Sequence, residues 1–360
     1  MSVEGLVRAR KHQFGRQDAF GTKVAATRAY PFSGTPSVDL QWTDPEVDTG
    51  SIVPTVAPAR GAGEFTAPLT DPQLAYNNIP LLMEGIFGGN VNPAGGAVET
   101  WTHNPAAVAP LDEDSNFTYE FGDDRTDDWY QLGDGVLDSL TLTGPEGLLA
   151  LTTDMAWRFG SAASNSSTDS PPSPAVPTAS LNVDKNPALV YLKDMGLYIA
   201  STTAGIAAGQ ILNALHTFAL TFTVQRDDKR FANESQTFDV SDRSRTGVAI
   251  ELALTLAKTD DTVGTGSETD AWFSDDAVDR YVRLHFLSLK NISGSTKYEW
   301  TLDMPMRYYT REEGDSAGNA VIVLTGHAFY DPTDFFSGDG FFKSVLKCGL
   351  HASELGSAAS

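Results

Sequence analysis

The chain has a single cysteine, Cys348, among its 360 residues. No intrachain disulfide can form, and cysteine usage gives no sign of an oxidising compartment. It also lacks any run of about 18 apolar residues, so no transmembrane helix is expected. The first residues, MSVEGLVRARKHQFGRQDAFG, contain no apolar signal-peptide core. The expectation is a protein made and used without signal-peptide secretion. The four Asn-x-Ser/Thr strings at Asn116, Asn165, Asn233 and Asn291 then read as chance matches.

The patterns that carry chemistry are missing too. No phosphate-binding Walker loop, dinucleotide glycine pattern or His-Glu-x-x-His occurs. The six histidines, His12, His103, His216, His285, His327 and His351, are not spaced as metal ligands. The sharpest enzyme-like string is Asp48-Thr49-Gly50-Ser51, the turn with which aspartic proteases present a carboxylate. Two carboxylates must share a proton in that chemistry. The nearest second copy, Asp315-Ser316-Ala317, has the wrong third residue. The string therefore reads as a turn, as do Gly61-Ala62-Gly63 and Gly133-Asp134-Gly135. The acidic clusters at 112–114, 123–124, 127–128 and 275–276 lack EF-hand spacing and read as solvated loops. Cys348 has no catalytic signature and reads as a plain thiol. The reading is no catalytic residue, no cofactor and no metal ligand.

Positive charge is scarce: 25 Lys and Arg stand against 47 Asp and Glu, a net of −22. Such a chain repels nucleic-acid backbones and anionic membranes. No stripe of Arg and Lys interleaved with aromatics suggests sequence-specific nucleic-acid binding. The deficit is uneven. Residues 1–28 carry Arg8, Arg10, Lys11, Arg16, Lys23 and Arg28 against Glu4 and Asp18, a net of +4, which leaves −26 on the rest. This segment is either a solvated tail or an arm that binds an acidic face of a neighbouring copy. Salt-adapted organisms also make acidic proteins, so acidity alone does not decide function.

What the chain does have is aromatic and turn-forming residues. With 19 Phe, 11 Tyr and 6 Trp, and 41% hydrophobic residues, it can bury a core. Its 32 Gly and 19 Pro favour short strands and turns over helical bundles. Period-two alternation marks strands at Phe117–Phe121, Leu149–Phe159, Phe218–Val224, Val248–Leu256, Trp300–Met306 and around Val321 and Val323. One helix is predicted from Asp71, as cap, towards Ile86 and Phe87, with Pro80 as a kink and Gly88-Gly89 as the stop. A second is predicted over roughly residues 269–279. Residues 161–180, SAASNSSTDSPPSPAVPTAS, can bury no core of their own and read as a flexible loop. The fold class is mainly β, with antiparallel β-sandwich or partly closed barrel domains and short helices. FTYEF and SLTLT in the first half correspond loosely to FALTF and AIELALTL in the second. They are either two copies of one fold or two unrelated meanders.

Three stretches carry a resemblance. FGRQDAFGTKVAATRAYPFSG (14–34) has a Gly, an acidic or amide residue and a Gly-Thr before a small-residue run, with Asp18 where Glu is common. WYQLGDGVLDSLTLTGPEGLLALTTDMAWRFG (129–160) has an aromatic and Gly, a strand, a turn and a long return strand. VIVLTGHAFYDP (321–332) is a closing strand. The pattern resembles the tail tube proteins, or major tail proteins, of long-tailed phages. The resemblance implies a structural virion protein that self-assembles into stacked rings forming a DNA conduit, with no catalytic residue to carry over. It implies an N-terminal arm (1–35) and a first tube-like domain (36–210) that includes the flexible loop 161–180. A second tube-like domain (211–345) and a C-terminal tail (346–360) follow. Arg8, Arg10, Lys11 and Arg16 are then the candidate inter-ring arm. The implied partners are other copies of the chain, the tail terminator, tape-measure and baseplate proteins, and DNA in passage without tight binding or membrane contact. The implied place is the virion, after synthesis in the host cytoplasm. Two fused tube domains would make a trimeric ring of pseudo-sixfold shape; one tube domain with an extra domain would make a hexamer. The rival readings are a tail terminator, a head decoration protein, or a carbohydrate-binding or adhesion β-sandwich.

Overall fold

The computed structural model describes residues 10–17, 24–43, 59–87, 96–103, 116–123, 128–145, 147–157, 184, 186–211, 214–229, 242–258, 279–316, 318–331 and 342–350. In chain order the strands are β1 (Arg10–Arg16), β2 (Arg28–Tyr30), β3 (Ser37–Thr43), β4 (Ala59–Asp71), β5 (Glu99–His103), β6 (Phe117–Asp123), β7 (Asp128–Gly144) and β8 (Ala150–Trp157). They continue as β9 (Met195–Ala200), β10 (Gln210–Ile211), β11 (Leu215–Lys229), β12 (Asp242–Ala257), β13 (Arg280–Ser293), β14 (Thr296–Ser316), β15 (Asn319–Ala328) and β16 (Lys343–Cys348). One α-helix, α1 (Ile79–Phe87), lies between β4 and β5. The fold is mainly β, as the alternating segments predict, and all sixteen strands join one hydrogen-bonded antiparallel sheet.

Two long strands divide this sheet into three regions. The central region runs from the C-terminal half of β14 through β15, β12, β11, β7, β8 and β4 to β3. The N-terminal half of β14 instead lies between β13 and β16, with β9 and β10 beyond β13 and β5 beyond β16. The N-terminal half of β7 leaves the central region to pair with β6, which pairs with β1 and then β2. The predicted division at 210/211 falls inside β10. The sheet passes across it, because β11 pairs with β7 and β16 with β5.

The partner changes have local causes. β14 pairs with β16 up to Asp303 and with β15 from Met306. Between them sits Pro305, whose carbonyl accepts from the Phe329 N–H at 3.1 Å. In an antiparallel strand a residue's N–H and C=O point to the same side, so the N–H that proline lacks falls where the neighbouring strand changes. In β7, Gly133-Asp134-Gly135 is not a turn but a bulge inside the strand. Asp134 has φ 56°, and the register shifts between Phe117 and Tyr119 opposite it. Gly61-Ala62-Gly63 likewise lies within β4.

Helix α1 starts later than its sequence suggests. Asp71 ends β4, and its carboxylate accepts from Gln73 N–H at 2.9 Å in a local turn. A 3-10 turn at Tyr76–Asn78 leads into the helix, and Pro80 sits in its first turn, where the missing N–H costs nothing. All nine helical residues are buried. Phe87 stacks on Phe342 with ring centroids 4.7 Å apart and meets Phe222 edge-on at 5.7 Å. The Arg226 guanidinium binds Asp138 at 2.7 Å, the Leu137 carbonyl, and Gly85 O at 3.4 Å in the helix's last turn, where cations are favoured. The second predicted helix, loop 161–180 and the Asp48-Thr49-Gly50-Ser51 string lie outside the described residues.

The main hydrophobic core runs from Phe14 to Leu350 through all three regions, and a small separate cluster joins Ala200, Ile206 and Tyr281. In β11 and β12 it takes every second residue: Phe218, Leu220, Phe222 and Val224 face Ile250, Leu252, Leu254 and Leu256. Each such side chain contributes about 1.5–3 kcal/mol on burial. Thr153, the one polar residue on the inward face of β8, donates its hydroxyl to Ser139 O at 2.6 Å.

Candidate assembly surfaces

The proposed arm residues have different surroundings. Arg8 lies outside the described residues. Arg10 opens β1, is exposed, bonds Thr35 Oγ1 at 3.2 Å and lies over the Phe121 ring at 5.6 Å. Lys11 follows it on the same strand, half-buried. Arg16 faces inward: its Nε is 2.7 Å from Glu84 Oε1 on α1, and the Glu84 side chain is fully buried. Arg16 therefore ties β1 to the helix within one chain. Of the three described cations, Arg16 faces the helix while Arg10 is exposed, so these three do not form one patch.

The strand that carries them is covered on both sides. Residues 24–27 lie across β1 and β6, with Val24 N–H donating to Thr118 Oγ1 at 3.0 Å and Ala26 N–H to Glu120 Oε1 at 3.4 Å. Gly15 permits this approach, since a Cβ there would lie 2.5 Å from the Ala25 carbonyl oxygen. Gln13 and Gln131 donate to Glu120 at 3.2 and 3.1 Å. The Gln17 side chain accepts from Asp134 N–H at 2.7 Å and donates to its carboxylate at 3.3 Å. Residues 24–27 thus fold back over β1.

The titratable groups singled out in the sequence are dispersed. His12 shares a 2.7 Å hydrogen bond with Tyr119, and burial, aided by Arg10, pushes its pKa down to about 4. His103 is fully buried at the end of β5, neither ring nitrogen has a hydrogen-bond partner, and burial pushes it down to about 3. His285 bonds Glu299 at 3.0 Å. Cys348 is buried, and burial pushes its thiol up to about 12. Among the described residues no three His, Cys, Asp or Glu converge as metal ligands. An open cleft of about 340 Å³ beside β9 is lined mainly by apolar side chains such as Met195, Leu197 and Ile211, with Lys193 and His216 also on its wall.

The larger features are surfaces. Much of the outer face of the central region is built of small, uncharged side chains. Across six strands one row reads Ala150, Thr143, Ala219, Ala253, Thr325 and Thr310. The adjacent row reads Thr152, Thr141, Thr221, Glu251, His327 and Arg307. Its charges are engaged locally. Glu251 accepts from Tyr309 O–H at 2.9 Å, Tyr309 stacks on His327 at 4.3 Å, and Arg307 pairs with Asp279 at 2.7 Å. The individual threonines and alanines are visible in the alternating segments. Their alignment into rows is not, because it depends on register between strands distant in sequence.

The same region ends in two strand edges that pair with nothing among the described residues. One is β14 beyond Met306, which has β15 on one side only; the other is the far side of β3. Among the described residues no helix is long and apolar enough to cross a membrane. No protein-family model and no curated protein matches the chain.

Proposed function

We propose that this chain is a structural subunit that self-assembles head to tail into closed, stacked rings, as the tube of a long phage tail that conducts DNA. The observation that carries this reading is the central region, whose edges at both ends, β14 on one side and β3 on the other, pair with nothing among the described residues. An edge strand presents a row of unsatisfied N–H and C=O groups. Joining one copy's β14 edge to the next copy's β3 edge satisfies both, and a heterologous contact of this kind closes into a ring when its rotation permits.

Composition supports the same reading. A conduit for DNA must not hold DNA, and a net charge of −22 repels phosphates over about 8–10 Å at physiological salt. The three stretches that resemble tail tube proteins fall on β1 with its overlying segment, on the β7–β8 hairpin and on β15. A trimeric ring of pseudo-sixfold shape is favoured over a hexamer because 360 residues exceed one domain of about 100–150 residues. The tail terminator, tape-measure and baseplate proteins would be the further partners, and the virion its location.

Negative-stain electron microscopy of the purified protein, with native mass spectrometry of a single ring, tests the reading. Rings or tubes with three chains per ring are expected. A monomer at all concentrations and salt conditions overturns it, and six chains per ring overturns the trimer.

A further inference from the structure

The β13–β14 hairpin carries a break in its own pattern. Along β13, Val282, Leu284 and Phe286 point inward and Arg283 and His285 outward. The backbone keeps that alternation, but the chemistry swaps phase after Phe286. Ser288 takes the buried position, while Leu287 and Leu289 are exposed, 40% and 74%. Ser288 is accommodated, since its hydroxyl accepts from Lys290 N–H at 3.1 Å. Folding gains nothing from two leucines in water on the solvent side of a strand. Over the same stretch β13 also loses its neighbour, because β9 pairs only with Tyr281–Phe286.

The charge around these leucines runs opposite to the rest of the molecule. Register places Glu299 beside Leu287, Lys347 beside Glu299, and Lys343 beside Asp303 on the same outer face. The face and hairpin hold Arg283, Lys290, Lys297, Lys343 and Lys347 against Glu299 and Asp303, a surplus of three positive charges. With −22 in total, the remainder of the chain carries −25. Both carboxylates are already engaged: Asp303 by Arg283 at 2.6 and 3.0 Å, and Glu299 by Lys347 at 2.6 Å and His285 at 3.0 Å. Among the described residues no carboxylate lies within ion-pair distance of Lys297 or Lys343.

We propose that this face, with Leu287 and Leu289 at its centre and the lysines around them, docks onto an acidic surface of a second copy of the chain. An apolar centre within a polar rim is the general anatomy of a specific contact. The occupant is another copy because the chain itself supplies the complementary charge. DNA and anionic membranes meet the repulsion of the acidic remainder as they approach. A basic face against an acidic one is a head-to-tail contact, distinct from the pairing of the β14 and β3 edges. It rests on self-association of the chain and not on the geometry of a tube.

The test compares the unsubstituted chain with Lys290→Glu/Lys297→Glu, with Leu287→Ser/Leu289→Ser, and with Ala204→Glu, which adds charge in the exposed turn after β9. Sedimentation velocity over a concentration series is run at low and high salt. Zero-length carbodiimide cross-linking is run on mixed light and heavy isotopic copies. Both double variants, at positions outside the buried core and checked for an unchanged thermal melt, should self-associate at least about tenfold more weakly. Ala204→Glu should not, and light–heavy cross-links should join Lys290, Lys297 or Lys343 to carboxylates. Variants that associate like the unsubstituted chain, or cross-links confined to single copies, overturn the proposal even where rings form. Intercopy cross-links at these lysines without rings uphold it and count against the tube. Binding to phosphatidylserine vesicles or duplex DNA that the variants lose, with self-association unchanged, overturns it in favour of those partners.

Discussion

The central region and the β1–β6 region bury their strands in different ways. Over Phe218–Val224 of β11 and Ile250–Leu256 of β12 burial alternates strictly, with apolar residues inside and Thr, Ala and Glu251 outside, because one face meets the core and the other is open. In β1, four successive residues, His12, Gln13, Phe14 and Gly15, are buried, and in β6 so are Phe117, Thr118, Tyr119 and Glu120. One face of each strand packs on the aromatic cluster of Phe14, Tyr30, Phe32 and Tyr119. The other is covered by residues 24–27, whose backbone N–H groups are met by Thr118 and Glu120. Central strands are thus held by transfer of apolar surface. The β1–β6 strands also depend on polar groups that must all be paired once out of water.

The largest expected effect tests the apolar side. Phe222 is fully buried between Phe87 and Phe342. Phe222→Ala should cost about 3–5 kcal/mol in urea unfolding, since the cavity cannot collapse against a helix packed on the far side. A loss below about 1 kcal/mol would mean that the helix is not wedged there.

Next comes the polar side. Arg16→Met leaves the Glu84 carboxylate buried without its guanidinium, with an expected cost of about 3 kcal/mol. Arg16→Met/Glu84→Leu should recover most of that, because replacing both charges removes the desolvation penalty together with the attraction. Simple additivity of the two single changes would show that the pair is not coupled.

This difference also explains what the sequence makes legible. Period-two patterns reveal β6, β8, β11, β12, β14 and β15, since one face of each meets the core. They say nothing of β1, where a Lys-His-Gln-Phe run looks like a solvated tail until the segment at 24–27 covers it. Pro80 looks like a kink because proline breaks helices in their interior, but the first turn of α1 tolerates it. Gly133-Asp134-Gly135 has the composition of a turn, yet the same freedom at φ 56° makes a bulge in β7. The candidate assembly surfaces are the least legible part. Rows of Thr and Ala form only when strands as distant as β8 and β14 come into register, and the open edges are a property of the finished sheet.

A smaller effect is tied to pH. His103 is buried neutral, with its pKa pushed down to about 3 from an ordinary 6.5. Above pH 6.5 the ring is neutral in both the folded and unfolded states and contributes no pH dependence. Below 6.5 the unfolded chain takes up a proton that the folded chain refuses, so stability is lost as pH falls towards 3. The slope approaches about 1.4 kcal/mol per pH unit. His103→Phe removes this loss. The stability gap between the variant and the unsubstituted chain should widen to about 2–3 kcal/mol by two units below 6.5. A gap independent of pH would mean that the ring is hydrated and titrates normally. His12, held near 4, should show the same sign.

The smallest effects make the sharpest comparison, because the two sites differ chiefly in exposure. Gln17 bonds both the backbone N–H and the carboxylate of Asp134 in a buried site, at 2.7 and 3.3 Å. Tyr309 donates a comparable bond to Glu251 at 2.9 Å on the open face of the central region, where it is 45% exposed. In Gln17→Ala, Asp134 loses partners that water cannot reach to replace, at a bulge whose left-handed backbone also depends on that bond. The expected cost is about 1–2 kcal/mol. In Tyr309→Phe, water takes the place of the hydroxyl and the ring still stacks on His327, so the change should stay within about 0.5 kcal/mol. Equal costs would sink the distinction between the two regions, since burial would then not be setting the value of a hydrogen bond. If Tyr309→Phe were silent in the isolated subunit but weakened assembly, the open face would be a contact surface, and its polar groups would become buried only when a second copy covers them.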